Sequence, residues 1–417
     1  MAALRKYDDT TWDFRAANTK NYTHCFHNYP AMMIPQIAER LIINYGENTK
    51  LLFDPYCGTG TSLVEANLKG INAIGTDLNP LARLIAKTKT SIIDIQILDL
   101  YLKEFNELFF SIQFGITKPN IILPKFKNID FWFSKTVQEK LAIIKQFIDK
   151  ISIENIQNFF YVAFSETVRE SSYTRNSEFK LYRMNEKHRV NFNPDVFAMM
   201  TNKLSRNKKG LIEFLKYIEG KRITTTIKDF NTVENTGDIE EQTIDLIVTS
   251  PPYGDSRTTV AYGQFSRLTN QWLGIKDANK IDSQLMGGQR IDIQKLGIKK
   301  VDIIIEKINS IDSKRAQEVF SFYYDYYKSI SNVSKTLNKN AYACYVVGNR
   351  KVKGITLPTD EITKVFFQEN GFEHVKTLIR NIPNKRMPKR NSPTNKVGKT
   401  ETTINNEYIV IMKKTTR

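Results

Sequence analysis

Apolar positions along the chain follow two rhythms. The segment "TKLLFDPYCGTGTSLVEANLKGINAIGTDLNPLARLIAKTKT" opens on a short apolar run, breaks at proline and glycine, takes up helical spacing and returns to a second apolar run. This pattern predicts a strand over 50–54, a glycine turn over 55–60, a helix over 61–69, a strand over 71–76 and a helix from Leu81. Parallel sheets are built from such β-α-β units. The rhythm returns in "RITTTIKDF" (222–230), "TIDLIVTSPPY" and "AYACYVVGN". A helix near 358–370 and two strands bracketing a basic loop complete this part. "MMIPQIAERLIIN" (32–44) predicts a short helix, and "RAQEVFSFYYDYYKSISNVSKTL" a long amphipathic one. Residues 276–312 read as polar and irregular.

The second rhythm fills residues 95–221, which are rich in Phe, Ile and Lys. Helical spacing runs through "SKTVQEKLAIIKQFIDKI" and "NIQNFFYVAFSETVRE". The expected architecture is therefore α/β, with a mostly helical lobe inserted at 95–221 between parts spanning 1–94 and 222–417. A length of 417 residues suits a large core in two lobes.

Composition adds one strong feature. Lys and Arg number 61 against 44 acids, a net charge of +17. Such an excess suits a polyanionic partner; a generally basic proteome is the bland alternative. Residues 380–417 alone hold ten Lys and Arg against two acids. Cys25, Cys57 and Cys344 are odd in number and far apart, which excludes a disulfide framework and fits a reducing interior. The opening "MAALRKYDDTTWDF" has no apolar signal core, and no apolar run is as long as a membrane span, so a soluble cytoplasmic protein is expected. The four histidines make no zinc pattern, and no metal is expected.

Two stretches carry the chemistry. In "DPYCGTGT", Gly58 and Gly60 permit a tight turn after a strand. Asp77 ends the next strand, where an acid suits two ribose hydroxyls. A dinucleotide fingerprint would want a small residue at Leu63, and a phosphate loop would want a G-K-[ST] that is missing. Asp54 also repels phosphate and favours an ammonium group. S-adenosylmethionine, with a ribose, an α-ammonium and no phosphate, satisfies both acids. Read singly, Asp77 also suits a helix cap and Asp54 a turn. The second stretch is "DLIVTSPPYGDS", in which two prolines end a strand, because neither donates to a ladder and both fix φ.

"FDPYCGTGT" together with "TSPPYG" resembles the amino-group DNA methyltransferases, which methylate exocyclic nitrogens of cytosine or adenine. The likeness covers residues 22–90 and 222–270 and, less sharply, 320–412. It implies a Rossmann-like class I methyltransferase mixed sheet. It places Phe53, Asp54, Pro55, Gly58, Gly60 and Thr61 at the cofactor turn, and Asp77 and Leu78 at the ribose. "HNYPAMMIPQIAERLI", with Pro30, would help hold the methionine part. Asp229 would lie beside the cofactor adenine, or serve as a turn residue.

Ser250, Pro251, Pro252 and Tyr253 then form the catalytic motif. An exocyclic amine is a poor nucleophile because its lone pair is conjugated into the ring. Acceptors placed for its two N–H bonds favour the pyramidal geometry it needs to attack. Ser250 Oγ and the Pro251 carbonyl are the expected acceptors, and Tyr253 the ring that stacks on the base. None of the three cysteines follows a proline, which disfavours methylation at cytosine carbon five. In this family a serine at the first position is commoner in N4-cytosine enzymes, so cytosine N4 is favoured and adenine N6 is the alternative.

Motif order points to 95–221 for target recognition, with 255–312 competing. Arg169, Arg175, Lys180 and Arg183 alternate with Tyr173, Phe179 and Tyr182, a mixture suited to phosphates and unstacked bases, or to a solvated helix face and loop. Arg257 follows the catalytic motif. Lys385, Arg386, Lys389 and Arg390 suit the DNA backbone, or a basic edge hairpin. The expected partner is double-stranded DNA, with the target base flipped from the stack; a cognate restriction endonuclease is implied by the family. The rival readings are an RNA guanine amino-methyltransferase and a nucleic-acid binder with a decayed site.

Overall fold

The computed structural model describes residues 6–176, 178–255, 259–382, 390–391, 401–402 and 406–415. Eight strands form the main sheet: β1 (Lys6–Asp8), β2 (Leu51–Asp54), β3 (Asn72–Thr76), β4 (Thr225–Lys228), β5 (Ile244–Thr249), β6 (Leu337–Val347), β7 (Phe372–Asn381) and β8 (Asn406–Lys414). Their order across the sheet is β1-β7-β8-β6-β5-β2-β3-β4. β8 runs antiparallel to both β6 and β7, and the other neighbours are parallel. The result is a Rossmann-like mixed sheet.

Both faces of this sheet are covered, so the central strands are apolar at almost every position. Leu246 and Val248 of β5, Cys344 and Val346 of β6, and Ile409 and Ile411 of β8 pack on one face with Ile37, Ala38 and Leu41 of the helix Pro35–Tyr45. The alternate residues Ile247, Tyr345 and Val410 face the other way, against Tyr323 and Tyr326 of the helix Ser313–Thr336 and Phe366 of the helix Thr359–Gln368. Asp245 pins the start of the central strands. Its Oδ2 accepts from the backbone N–H groups of Lys50 and Leu51 at 2.9 and 3.0 Å, and its Oδ1 accepts from Asn338 at 2.8 Å.

Residues 95–221 are helical, with long helices at Ile95–Gln113, Lys135–Ile148, Glu154–Ser171 and Val196–Ile218. They do not have a core of their own. Phe160, Val168, Met200 and Leu141 share one apolar cluster with Phe26, Leu81 and Ile85 of the cofactor half and with Phe265 and Trp272 beyond the catalytic motif. Two elements differ from the sequence expectation. Residues 276–312 contain a helix, Lys299–Asn309, whose Val301, Ile305 and Ile308 are buried at helical spacing although Lys and Glu surround them. The edge strand β1 forms by parallel pairing with β7, a contact across almost the whole chain.

β2 and β5 lie side by side, with Leu52 opposite Leu246 and Phe53 opposite Ile247. From β2 the chain proceeds to β3 on one side, and from β5 to β6 on the other. Their carboxyl ends therefore flank the point where strand order reverses, the place where open α/β sheets bind ligands. Asp54 and Thr249 are the last residues of the two strands.

Candidate active site

The turn after β2 works through its glycines. Gly58 and Gly60 have φ of 49° and 77°, values that side chains disfavour. A Cβ on Gly60 would also lie 3.0 Å from Ala86 Cβ and 3.2 Å from Ala86 Cα on the helix Pro80–Lys89. We expect Gly60→Ala to destabilise the fold by about 2–4 kcal/mol, combining left-handed strain with overpacking against backbone. Chemical denaturation of the variant measures it.

Asp54 is buried beneath this turn. Its carboxylate accepts from Ser62 Oγ, from Thr249 Oγ1 at 2.5 Å and from the Tyr56 backbone N–H at 3.1 Å. Burial pushes the carboxyl up to about 6, and the Ser62 and Thr249 hydroxyls pull the other way. The Thr249 bond ties the cofactor turn directly to the catalytic strand. Asp77, at the end of β3, accepts from the Gly58 N–H at 3.1 Å and the Asn79 N–H at 2.7 Å. Burial raises its carboxyl too, against the Asn79 N–H and the nearby Arg83.

These acids open into one pocket with a cavity volume of about 90 Å³. Pro30, Asp54, Gly58, Thr61, Asp77, Ser250 and Pro252 line it together. The remaining expected residues sit around it. Phe53 is fully buried in the core beneath the sheet, and Pro55 is buried in the turn. Gly60 packs on Ala86. Leu78 is half-buried beside Asp77. Asp229 is exposed and pairs with Arg83 at 2.7 Å, and Arg83 also donates to the Asp77 carbonyl at 2.6 Å. It stands at the rim, one residue removed from the pocket.

The catalytic loop is braced on both sides. Ser250 Oγ donates to the Val346 carbonyl at 3.1 Å and lies 3.4 Å from the Tyr253 hydroxyl. Pro251 is buried, and Tyr253 is half-buried. Beyond the tyrosine, Asp255 pairs with Arg350 at 3.4 Å, and both are buried. A Cβ on Gly254 would lie 2.4 Å from Arg350 Cζ, so only glycine leaves room for that guanidinium.

The basic residues fall into three groups. Arg169 corrects the expectation of a DNA contact: it is buried, donates to the carbonyls of Phe265 at 3.1 Å and Glu178 at 2.6 Å, and lies 4.1 Å over the Phe265 ring. Its helix is apolar on nearly every turn, so an arginine there turns inward and serves the backbone. Arg175 is exposed, Lys180 half-buried, and Arg183 stacks 3.9 Å over Phe131. Their segment reaches the helix after the catalytic motif, Tyr262–Trp272, through the Leu181 N–H and Gln264 at 3.3 Å. Arg257, Lys385, Arg386 and Lys389 lie outside the described residues. Arg390 is described only as backbone, in a strand pair with 401–402.

Other residues complete the pocket, Tyr29, Met32 and Tyr56 from within the stretches already quoted and Tyr262 and Leu285 from beyond them. Tyr29 and Tyr262 stack at 6.0 Å on the pocket wall, and Asn79 donates to the Tyr29 hydroxyl at 2.8 Å. Only the tertiary fold brings these segments together. Among the described residues, no three His, Cys, Asp or Glu side chains converge as a metal site requires. No helix among them is long and apolar enough to cross a membrane.

The chain is similar to known DNA methyltransferases. The family model described as "DNA methylase", for N6 and N4 enzymes, matches residues 3–88. The type II methyltransferase M.MvaI of Kocuria varians is 38% identical over 96% of this chain and 93% of its own. M.MjaII of Methanocaldococcus jannaschii is 29% identical over 38% of this chain and 30% of its own. A solved SAM-dependent methyltransferase from Methanosarcina mazei covers 90% of this chain and 98% of that one, at TM-score 0.32 and 9% identity, a likeness too remote to bear on function. With a relative of such identity spanning almost its entire length, the chain belongs to the DNA methyltransferases that methylate exocyclic amino groups, the N4/N6 family.

Proposed function

We propose that this protein methylates the exocyclic N4 of cytosine in duplex DNA, using S-adenosylmethionine, as the modification enzyme of a restriction system. The observation that carries the reading is the Asp54–Thr249–Ser250 junction. It sets a buried acid and Ser250 in one pocket, joined through Thr249, the last residue of β5, and the serine that follows it. Bound S-adenosylmethionine supplies a methyl group on a positively charged sulfur. Asp54, desolvated and held at about 6, suits its ammonium group, and Asp77 suits its ribose hydroxyls. Ser250 has one proton, and the nearer acceptor, the Val346 carbonyl, takes it. The Ser250 lone pairs then remain for an amine N–H, the role an acceptor must play as the nitrogen pyramidalises. The target base leaves the stack to reach this loop. Arg175, Lys180 and Arg183, near the helix that follows the catalytic motif, suit the DNA backbone, as do Lys385, Arg386, Lys389 and Arg390.

The test is to incubate the protein with labelled methyl donor and mixed-sequence DNA, digest to nucleosides and identify the labelled one. N4-methylcytosine is expected. N6-methyladenine alone would overturn the choice of cytosine, and label confined to RNA guanine would overturn DNA as the substrate.

Asp54 also sets a pH dependence. Its carboxyl titrates at about 6 before the cofactor binds, and only the ionised form can pair with an ammonium. Cofactor affinity should therefore be level from that value up to about 8, where the cofactor's own ammonium loses its proton, and fall below about 6 by about tenfold per pH unit for one linked proton. In Asp54→Asn the affinity should be lower and the fall below about 6 much shallower. Calorimetry across this range reads both.

A further inference from the structure

Stacking on a base needs only a ring, and phenylalanine would supply one. Tyr253 instead commits its hydroxyl, which donates to Glu407 Oε1 at 2.9 Å. The other carboxylate oxygen of Glu407 pairs with Arg380. Arg380 is 4% exposed, and its Nε and Nη2 donate to the backbone carbonyls of Trp12 at 2.8 Å and Asp13 at 3.2 Å. Glu407 and Arg380 are register partners on β8 and β7. A continuous chain of charge-assisted hydrogen bonds thus runs from the Trp12 and Asp13 carbonyls, through β7 and β8, to the hydroxyl of Tyr253. Burial and the Glu407 carboxylate keep that phenol protonated, its ionisation pushed well above the ordinary tyrosine value. The hydroxyl is therefore a donor to the acid, and the ring is fixed at both ends, by the proline-stiffened loop at Cα and by Glu407 at the oxygen.

We propose that Glu407, held by Arg380, is a positioning residue for methyl transfer: it locks the Tyr253 ring as a preformed platform for the flipped base. This rests on the reading above that Tyr253 holds the target base. A preorganised ring leaves less freedom to lose when the base arrives. A merely structural ion pair between Glu407 and Arg380 would have no such effect on DNA, so the two roles are separable.

The experiment is a double-mutant cycle in steady-state methylation, with cofactor affinity and thermal stability measured alongside. Tyr253→Phe removes the hydroxyl and keeps the ring. Glu407→Gln removes the charge: the guanidinium takes the amide oxygen, and the amide nitrogen can only donate to the Tyr253 oxygen, a neutral hydrogen bond in place of a charge-assisted one. Each change should lower kcat/KM for DNA by about 2- to 12-fold, the cost of ordering one side chain on binding, with cofactor affinity unchanged. With the hydroxyl already gone, the second change has nothing left to act on, so the double variant should lose no more than Tyr253→Phe alone. Wild-type kcat/KM in Tyr253→Phe, or losses that multiply in the double variant, would overturn the proposal. If Glu407→Gln does not fold, Tyr253→Phe alone decides. Tyr253→Ala separates this inference from the reading beneath it. An active Tyr253→Ala enzyme overturns the base-holding role itself, whereas an inactive one beside a fully active Tyr253→Phe overturns only the positioning role.

Discussion

Ser250→Ala is expected to lower turnover by on the order of 100- to 1,000-fold, far more than it lowers cofactor affinity. Losses of that size follow removal of one preorganised hydrogen-bonding group from other active sites. The reasoning for this chain is geometric. Ser250 Oγ is fixed by donation to Val346, a carbonyl on the neighbouring strand, so its lone pairs are held in place before the base arrives. They matter most when the amine nitrogen pyramidalises, and a group that matters most there lowers kcat more than it raises KM. The cofactor acids are anchored elsewhere, Asp54 by Ser62, Thr249 and the Tyr56 N–H, and Asp77 by Gly58 and Asn79. Single-turnover kinetics with saturating cofactor measures the loss. A wild-type rate in Ser250→Ala would refute the mechanism, and not only the choice of base.

Asp77→Ala should weaken S-adenosylmethionine binding by about 10- to 150-fold, since hydrogen bonds to a charged group are worth about 1.5–3 kcal/mol. The variant also strips the Gly58 and Asn79 N–H groups of their acceptor. A loss of affinity could therefore come from a deformed turn. Asp77→Asn separates the causes: its amide oxygen can keep one of those N–H groups, and it removes the charge that faces the ribose. Calorimetric titration should show most of the loss in both variants. Unchanged affinity in a folded Asp77→Ala protein would remove Asp77 from the cofactor site.

The cofactor turn was legible in the sequence because its determinants are local. A strand, Gly58, Gly60 and a helix occur in one continuous stretch, and the backbone conformation each glycine adopts is a property of the residue itself. The catalytic loop was legible for the same reason: two prolines cannot continue a ladder wherever they are placed. Arg169 shows the opposite case. Its neighbours Arg175, Lys180 and Arg183 give it the look of a basic surface, but its helix is packed among the helices Pro80–Lys89, Lys135–Ile148, Val196–Ile218 and Tyr262–Trp272, and the guanidinium turns to the carbonyls of Phe265 and Glu178. The helix Lys299–Asn309 was hidden because three apolar residues among many charges make too faint a stripe to read without the surface they cover.

The sequence by itself determined the β-α-β cofactor unit, the acids Asp54 and Asp77, and the Ser250–Tyr253 loop, all encoded over a few residues by backbone restriction and side-chain type. The tertiary structure decided that Asp54 bonds to Thr249 across 195 positions, that Tyr29 stacks on Tyr262, and that Glu407 grips Tyr253 across 154 positions. These contacts depend on strand order and register. Many distant residues set that order jointly, through the apolar surface they bury, and no short stretch of the chain contains it.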